Sequence, residues 1–125
     1  MTRTSSSPIN FGQIRSLKSI RLWLELSQAD LGATIAQRIG RRTAYDRSMV
    51  CKMERARRVP AAWLQPIGQM ISNELYRRTG RDDIGITISQ NSPIKIVAWG
   101  YCSFCKRAYR ITRINSHRCN KCTAA

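Results

Sequence analysis

Residues 26–40 read LSQADLGATIAQRIG and residues 48–60 read SMVCKMERARRVP, and how these two stretches fold decides the class of the chain. In the first, Leu31, Ile35 and Ile39 recur at helical spacing, so one face of a helix is apolar. Ser27 followed by Asp30 has the form of a capping box, and Gly40 offers a left-handed stop. The second stretch carries a short helix from about Asp46 to Arg55, set in heavily basic surroundings and closed by Pro60. Its apolar positions are Met49, Val50 and Met53, with Cys51 as a small buried filler.

Working outward, Ile14, Leu17, Ile20 and Leu24 alternate with Arg15, Lys18 and Arg21, which predicts an amphipathic helix over residues 11–25. Only Leu26 separates it from the next helix, so the two must fold sharply against each other. Downstream, Trp63, Leu64, Ile67, Met70, Ile71 and Leu75 predict a longer helix over residues 61–79, which closes the bundle and is capped by Gly80. Pro66 is easiest to place if the regular part starts close to it, because only a first turn can spare that N–H. Beyond residue 80 the period changes. Ile84, Ile86 and Ile88, then Ile94, Ile96 and Ala98, alternate on either side of turn chemistry at Gln90 to Pro93, which is the signature of a β-hairpin.

Charge narrows the function. Among 125 residues, Lys and Arg total 22 against 7 Asp and Glu, a formal charge of +15 that repels itself unless a polyanion is the usual partner. Nucleic acid leads, and an anionic membrane surface comes second. An apolar content of 42% with three Trp argues for folded structure rather than a disordered basic tail. No apolar run is long enough to span a bilayer and the N-terminus lacks the pattern of a secretion signal, so a cytoplasmic protein without a membrane partner is expected. No phosphate-binding loop, dinucleotide motif or carboxylate pair is present, and His117 stands in no recognisable relation to a Ser, Cys or acid pair, so no enzyme is expected.

Four of the five cysteines form two pairs, Cys102 with Cys105 and Cys119 with Cys122, separated by thirteen residues. In a reducing compartment such pairs point to metal, and Cys51 stays free. Four thiolates around one Zn2+ leave no open position, so the expected zinc is single and structural. The module resembles a zinc ribbon, with KRAYRITRINSHR running out and back as a short hairpin and Tyr109, Ile111 and Ile114 as its apolar cover. Lys106, Arg107, Arg110, Arg113, Arg118 and Lys121 surround it with no acid after Asp83. They either neutralise the thiolates or form a second phosphate-binding surface.

The stretch from Leu17 through the third helix, LKSIRLWLELSQADLGATIAQRI followed by SMVCKMERARRVP, resembles the lambda-repressor-like (XRE-type) helix-turn-helix family over roughly residues 14–75. The resemblance implies a pairing of Arg21 on the first helix with Glu54 at the end of the third, and a third helix lying in the major groove of duplex DNA. It departs from the family in the turn RRTAYD, residues 41–46, which is about four residues longer and more basic. A recognition helix needs donors at its N-terminal end, and Arg47, Ser48 and Lys52 supply them. Gln28, at the start of the second helix, lies over the phosphate backbone, and Arg41, Arg42, Arg57 and Arg58 flank the same surface.

The expected fold class is therefore α+β: a flexible arm over 1–10, a helix-turn-helix bundle over 11–80, a hairpin connector over 81–100 and a four-cysteine zinc ribbon over 101–125. The expected function is sequence-specific transcription regulation of bacterial, plasmid or phage type, nucleoid-associated, with a homodimer as a candidate assembly because such modules read two half-sites. Two alternatives stand beside it. One is an adaptor or antitoxin gripping RNA polymerase or a toxin through the hairpin or ribbon. The other is an RNA-binding accessory factor.

Overall fold

The structure, a computed structural model, describes residues 11–112, 117–119 and 121–122. The expected arm over 1–10, together with Arg113 and Ile114 of the expected tail hairpin, lies outside the described residues. Four helices precede a three-stranded antiparallel sheet of order β1-β2-β3: α1 (Leu17–Trp23), α2 (Gln28–Arg38), α3 (Arg47–Arg55), α4 (Ala61–Thr79), β1 (Gly85–Ile88), β2 (Ile96–Tyr101) and β3 (Ala108–Arg110). The chain is thus mixed α+β, with a cysteine cluster near its C-terminus.

Helix α1 is much shorter than the apolar spacing implies. Ser16 and Ser19 form a reciprocal cap, in which the Ser16 hydroxyl accepts from the Ser19 N–H at 3.1 Å and the Ser19 hydroxyl accepts from the Ser16 N–H at 2.9 Å. That local bonding holds Ser16 extended, so Ile14 joins the core from a turn rather than from a helix. The other end closes at Leu24. The Leu26 N–H reaches the Arg21 carbonyl and the Glu25 N–H the Leu22 carbonyl, with Glu25 in the left-handed region at φ 61°. Leu24, Glu25 and Leu26, not Leu26 alone, make the corner into α2.

Helix α2 starts at Ser27, whose hydroxyl accepts from the Asp30 N–H at 3.0 Å. Only that half of the expected capping box forms, since the Asp30 side chain is one methylene shorter than the Glu that usually reaches back. Gly40 ends the helix at φ 77°. Helix α3 is capped by Asp46, which accepts from the Met49 N–H at 2.9 Å. Val50 is buried on its inner face, whereas Met49 and Met53 are half-buried and Cys51 turns partly outward instead of filling the core.

Pro66 lies at the sixth position of α4, not in its first turn, so the Ala62 carbonyl lacks its usual N–H donor. The helix begins earlier because Trp63 is 1% exposed, stacked edge-on against Tyr45 with ring centres 5.0 Å apart. Burial of that ring outweighs the missing bond. Gly80 closes α4 in the left-handed region, as its position predicts.

The sheet lies on α4. Gly68 permits this approach, because a methyl group there would sit 3.1 Å from the Ile86 carbonyl oxygen, and the Ser72 hydroxyl donates to the Ile84 carbonyl at 2.8 Å. Ile86 and Ile88 face the helix, and β2 buries Ile96, Ala98 and Gly100 on the same side. Strand β3 extends the hairpin to a third strand, pairing Arg110 with Trp99 and Ala108 with Tyr101. The hydrophobic cluster runs without a break from Ile14 through the helices to Cys102, Tyr109 and Ile111. Among the described residues no helix is long and apolar enough to cross a membrane.

Candidate functional site

Two chemically distinct places stand out, an outward stripe on α3 and the cysteine cluster. At the first, α3 is tied to α1 by Arg21 and Glu54, whose side chains are 11% and 7% exposed. Arg21 Nε donates to Glu54 Oε2 at 2.5 Å and its Nη1 to the Leu26 carbonyl at 3.0 Å. The pairing implied by the resemblance is therefore made. Gln28 extends it, with Nε2 donating to Glu54 Oε1 at 2.9 Å and Oε1 accepting from Arg47 Nε at 3.4 Å. The amide of α2 thus bridges the buried pair to the exposed first residue of α3.

The spacing of four residues puts Arg47, Cys51 and Arg55 on one side of α3, with Ser48 and Lys52 beside them, and Arg47, Ser48, Lys52 and Arg55 are all exposed. Lys18 of α1 and Ser27 of α2 complete the walls of the groove that this stripe borders. Ser48 donates to the capping carboxylate of Asp46 at 2.9 Å, leaving its oxygen as an acceptor. The N–H bond from Met49, helped by Ser48, holds the Asp46 carboxyl below its ordinary range.

The flanking cations are held differently. Arg41 stacks on Tyr45, its guanidinium carbon 3.9 Å from the ring centre, while Arg42 is exposed in the same turn. Arg58 donates to Gln90 at 3.3 Å, and its neighbours bind the β1–β2 loop through Ser92 N–H to the Arg57 carbonyl, Val59 N–H to the Gln90 carbonyl and Gln90 Nε2 back to the Val59 carbonyl. The hairpin loop therefore clamps the exit of α3. That job is invisible in the strand alternation.

Two contributors were not singled out from the sequence. Arg55 follows Arg47 by eight residues and belongs to the same stripe, a spacing that was legible. Gly32 gave no local signal: a methyl group there would lie 2.1 Å from the Tyr45 carbonyl oxygen, so the long 41–46 turn crosses α2 in direct backbone contact.

At the second place, the sulfurs of Cys102, Cys105, Cys119 and Cys122 all lie within 4.8 Å of one another. Tetrahedral thiolates about 2.3 Å from a metal are about 3.8 Å apart, and Cys105 and Cys119 are already at 3.6 Å. The set is compatible with one structural metal ion. Cys102 follows β2 directly, is fully buried, and accepts from the Phe104 and Cys105 N–H groups at 3.4 Å each. Burial opposes its ionisation, but these bonds and one from the Cys119 N–H bring the thiol down to about 5. The Cys122 N–H lowers Cys119, whereas burial and the neighbouring sulfurs push Cys122 up to about 12. Neighbouring thiolates repel one another, and a bound cation removes that obstacle for all four. His117 is exposed and outside the cluster; its carbonyl accepts from the Ser103 N–H at 2.7 Å.

The cluster is anchored by an ion pair the sequence did not announce. Arg81, just past α4, is 8% exposed; its Nε donates to Asp83 Oδ1 at 2.6 Å and its Nη2 to the Tyr109 hydroxyl at 3.4 Å. Lys106, Arg107, Arg110, Arg118 and Lys121 are exposed around the module.

Comparison of the chain with protein-family models, with curated proteins and with solved structures finds no match.

Proposed function

We propose that the chain is a sequence-specific, duplex-DNA-binding transcription regulator of bacterial, plasmid or phage type, in which α2 and α3 act as a lambda-repressor-like (XRE-type) helix-turn-helix and the cysteine cluster holds one structural zinc. The observation that carries this reading is the relay Arg21–Glu54–Gln28–Arg47, which braces α3 from beneath while Arg47, Ser48 and Lys52 stay exposed. A helix presented in this way can enter the major groove with its N-terminal end against base edges. Arg47 then reads guanine through O6 and N7, worth about 1–3 kcal/mol of discrimination.

Gln28 and the capped start of α2 face the phosphate backbone, and Arg41, Arg42, Arg57 and Arg58 add sequence-independent attraction suited to a chain of charge +15. Zinc is favoured at the cluster because four thiolates in a closed tetrahedron suit it and leave no site for a reacting water. Its four ligands come from the end of β2, the turn after it and the chain beyond β3, so its work is to tie that segment to the sheet.

Selection of bound sequences from a random duplex pool tests the reading. An enriched motif is expected, with inverted symmetry if the regulator is dimeric. Arg47→Ala relaxes preference at one position, whereas Arg58→Ala weakens all sequences alike and lowers the salt slope by about 1. A pool that yields no enriched sequence overturns the proposal.

A further inference from the structure

Among the described residues, nothing covers Trp99 and Tyr101 on the outer face of the sheet. Along β2 the side chains alternate, with Ile96, Ala98 and Gly100 buried and Trp99 and Tyr101 outward at 40% and 73% exposure. These two rings stand on the same face about 6.7 Å apart along the strand. The neighbouring strands leave them open. Gly85 of β1 is opposite Trp99, and Ala108 of β3 is opposite Tyr101. The Trp99 Nε1 donates to Thr87 Oγ1 on β1 at 3.0 Å, which satisfies the indole and leans it across the sheet.

Cations are interleaved with the rings. Arg110 pairs with Trp99 on the other side, and past the end of β2 Phe104, 70% exposed, carries the Arg118 guanidinium 5.4 Å from its ring centre. Beyond Asp83 the sequence contains no Asp or Glu.

We propose that this face binds single-stranded DNA, with bases stacked on Trp99 and Tyr101 and phosphates held by Arg110. Solvent-facing aromatic rings beside guanidinium groups suit unpaired bases, whose ring faces are exposed, and not duplex DNA, whose ring faces are already stacked. Duplex binding is assigned to α3, so the surface described here is a second one. The phosphate charge complements the cations. DNA rather than RNA is assigned because α3 is read as a DNA-binding helix, so the choice of sugar rests on the proposed function.

The test is fluorescence anisotropy of the full-length, metal-loaded chain with a thymidine oligomer of about a dozen nucleotides, alongside a uridine oligomer and a duplex. The thymidine strand binds and quenches tryptophan emission. Tyr101→Ala and Trp99→Ala each weaken it by roughly 5- to 150-fold, Tyr101→Phe retains it, and duplex affinity is unchanged in all three. Tyr101 is so exposed that its loss leaves the fold intact, and retained metal checks this. Unchanged affinity in Tyr101→Ala overturns the proposal, as does a uridine strand bound equally or more tightly. Self-association through this face, with no strand bound, assigns it to a protein contact instead.

Discussion

Removing the Glu54 carboxylate is the sharpest perturbation of the helical half. In Glu54→Ala the Arg21 guanidinium keeps its bond to the Leu26 carbonyl but loses its buried counter-ion, and Gln28 loses the acceptor that aims it toward Arg47. An uncompensated buried charge costs about 3–5 kcal/mol. A 125-residue chain has an unfolding entropy of about 260 cal/mol/K, so the melting temperature falls by roughly 12–19 °C. The exposed, 3.4 Å contact at the far end of the relay is worth far less, and Arg47→Ala shifts melting by about 2 °C or less. The double variant Arg21→Met with Glu54→Met replaces the pair by apolar bulk and loses less than the two single variants together. Thermal unfolding followed by circular dichroism measures the wild type, Glu54→Ala, Arg47→Ala, Arg21→Met, Glu54→Met and the double variant. A Glu54→Ala protein that melts within about 3 °C of the wild type refutes the reasoning, as does a double variant whose loss equals the sum of the singles.

Gly32→Ala separates propensity from contact: alanine in mid-helix stabilises by up to about 1 kcal/mol on propensity alone, but here its methyl meets the Tyr45 carbonyl, so denaturant unfolding shows a loss of about 1–3 kcal/mol instead. Elemental analysis is expected to find one zinc per chain, with Cys119→Ser lowering that content and chelator treatment destabilising the wild type. Glu74 accepts from Arg77 and Arg78, and the Arg77 bond first among the causes depresses its carboxyl. Its contribution is therefore present above the unfolded glutamate range near about 4.3 and disappears as pH falls through the depressed folded value. Glu74→Gln accordingly flattens the acid limb of the stability profile, measured by urea unfolding between neutral and acidic pH.

Some of this architecture is written locally. Asp46 captures the Met49 N–H three residues on, Gly40 and Gly80 take the left-handed conformation their positions demand, and the apolar periods of α4 and the hairpin match what each element buries, whereas in α2 Leu31 and Ile35 are buried but Ile39, at the helix end, is 37% exposed. Such features need only a few neighbouring residues, and so they are legible without a fold. The paired cysteines are legible for the same reason, because each CxxC fits one tight turn.

Other features depend on partners far along the chain. The apolar spacing from Ile14 to Leu24 extended the first helix too far because Ser16 and Ser19 bond to each other more favourably than Ser16 continues a helix. Strand β3 exists only because β2 offers it an edge. Arg81 is buried only because Asp83 and Tyr109 receive it, and Gly32 matters only because the Tyr45 carbonyl crosses α2. Composition and cysteine spacing alone specify a basic, folded chain in which four of five thiols fall in two pairs. Which cations face solvent, which charge is paired beneath them and which aromatic rings stay uncovered is decided by long-range packing, because burial and charge pairing are properties of the assembled core and of no single stretch of sequence.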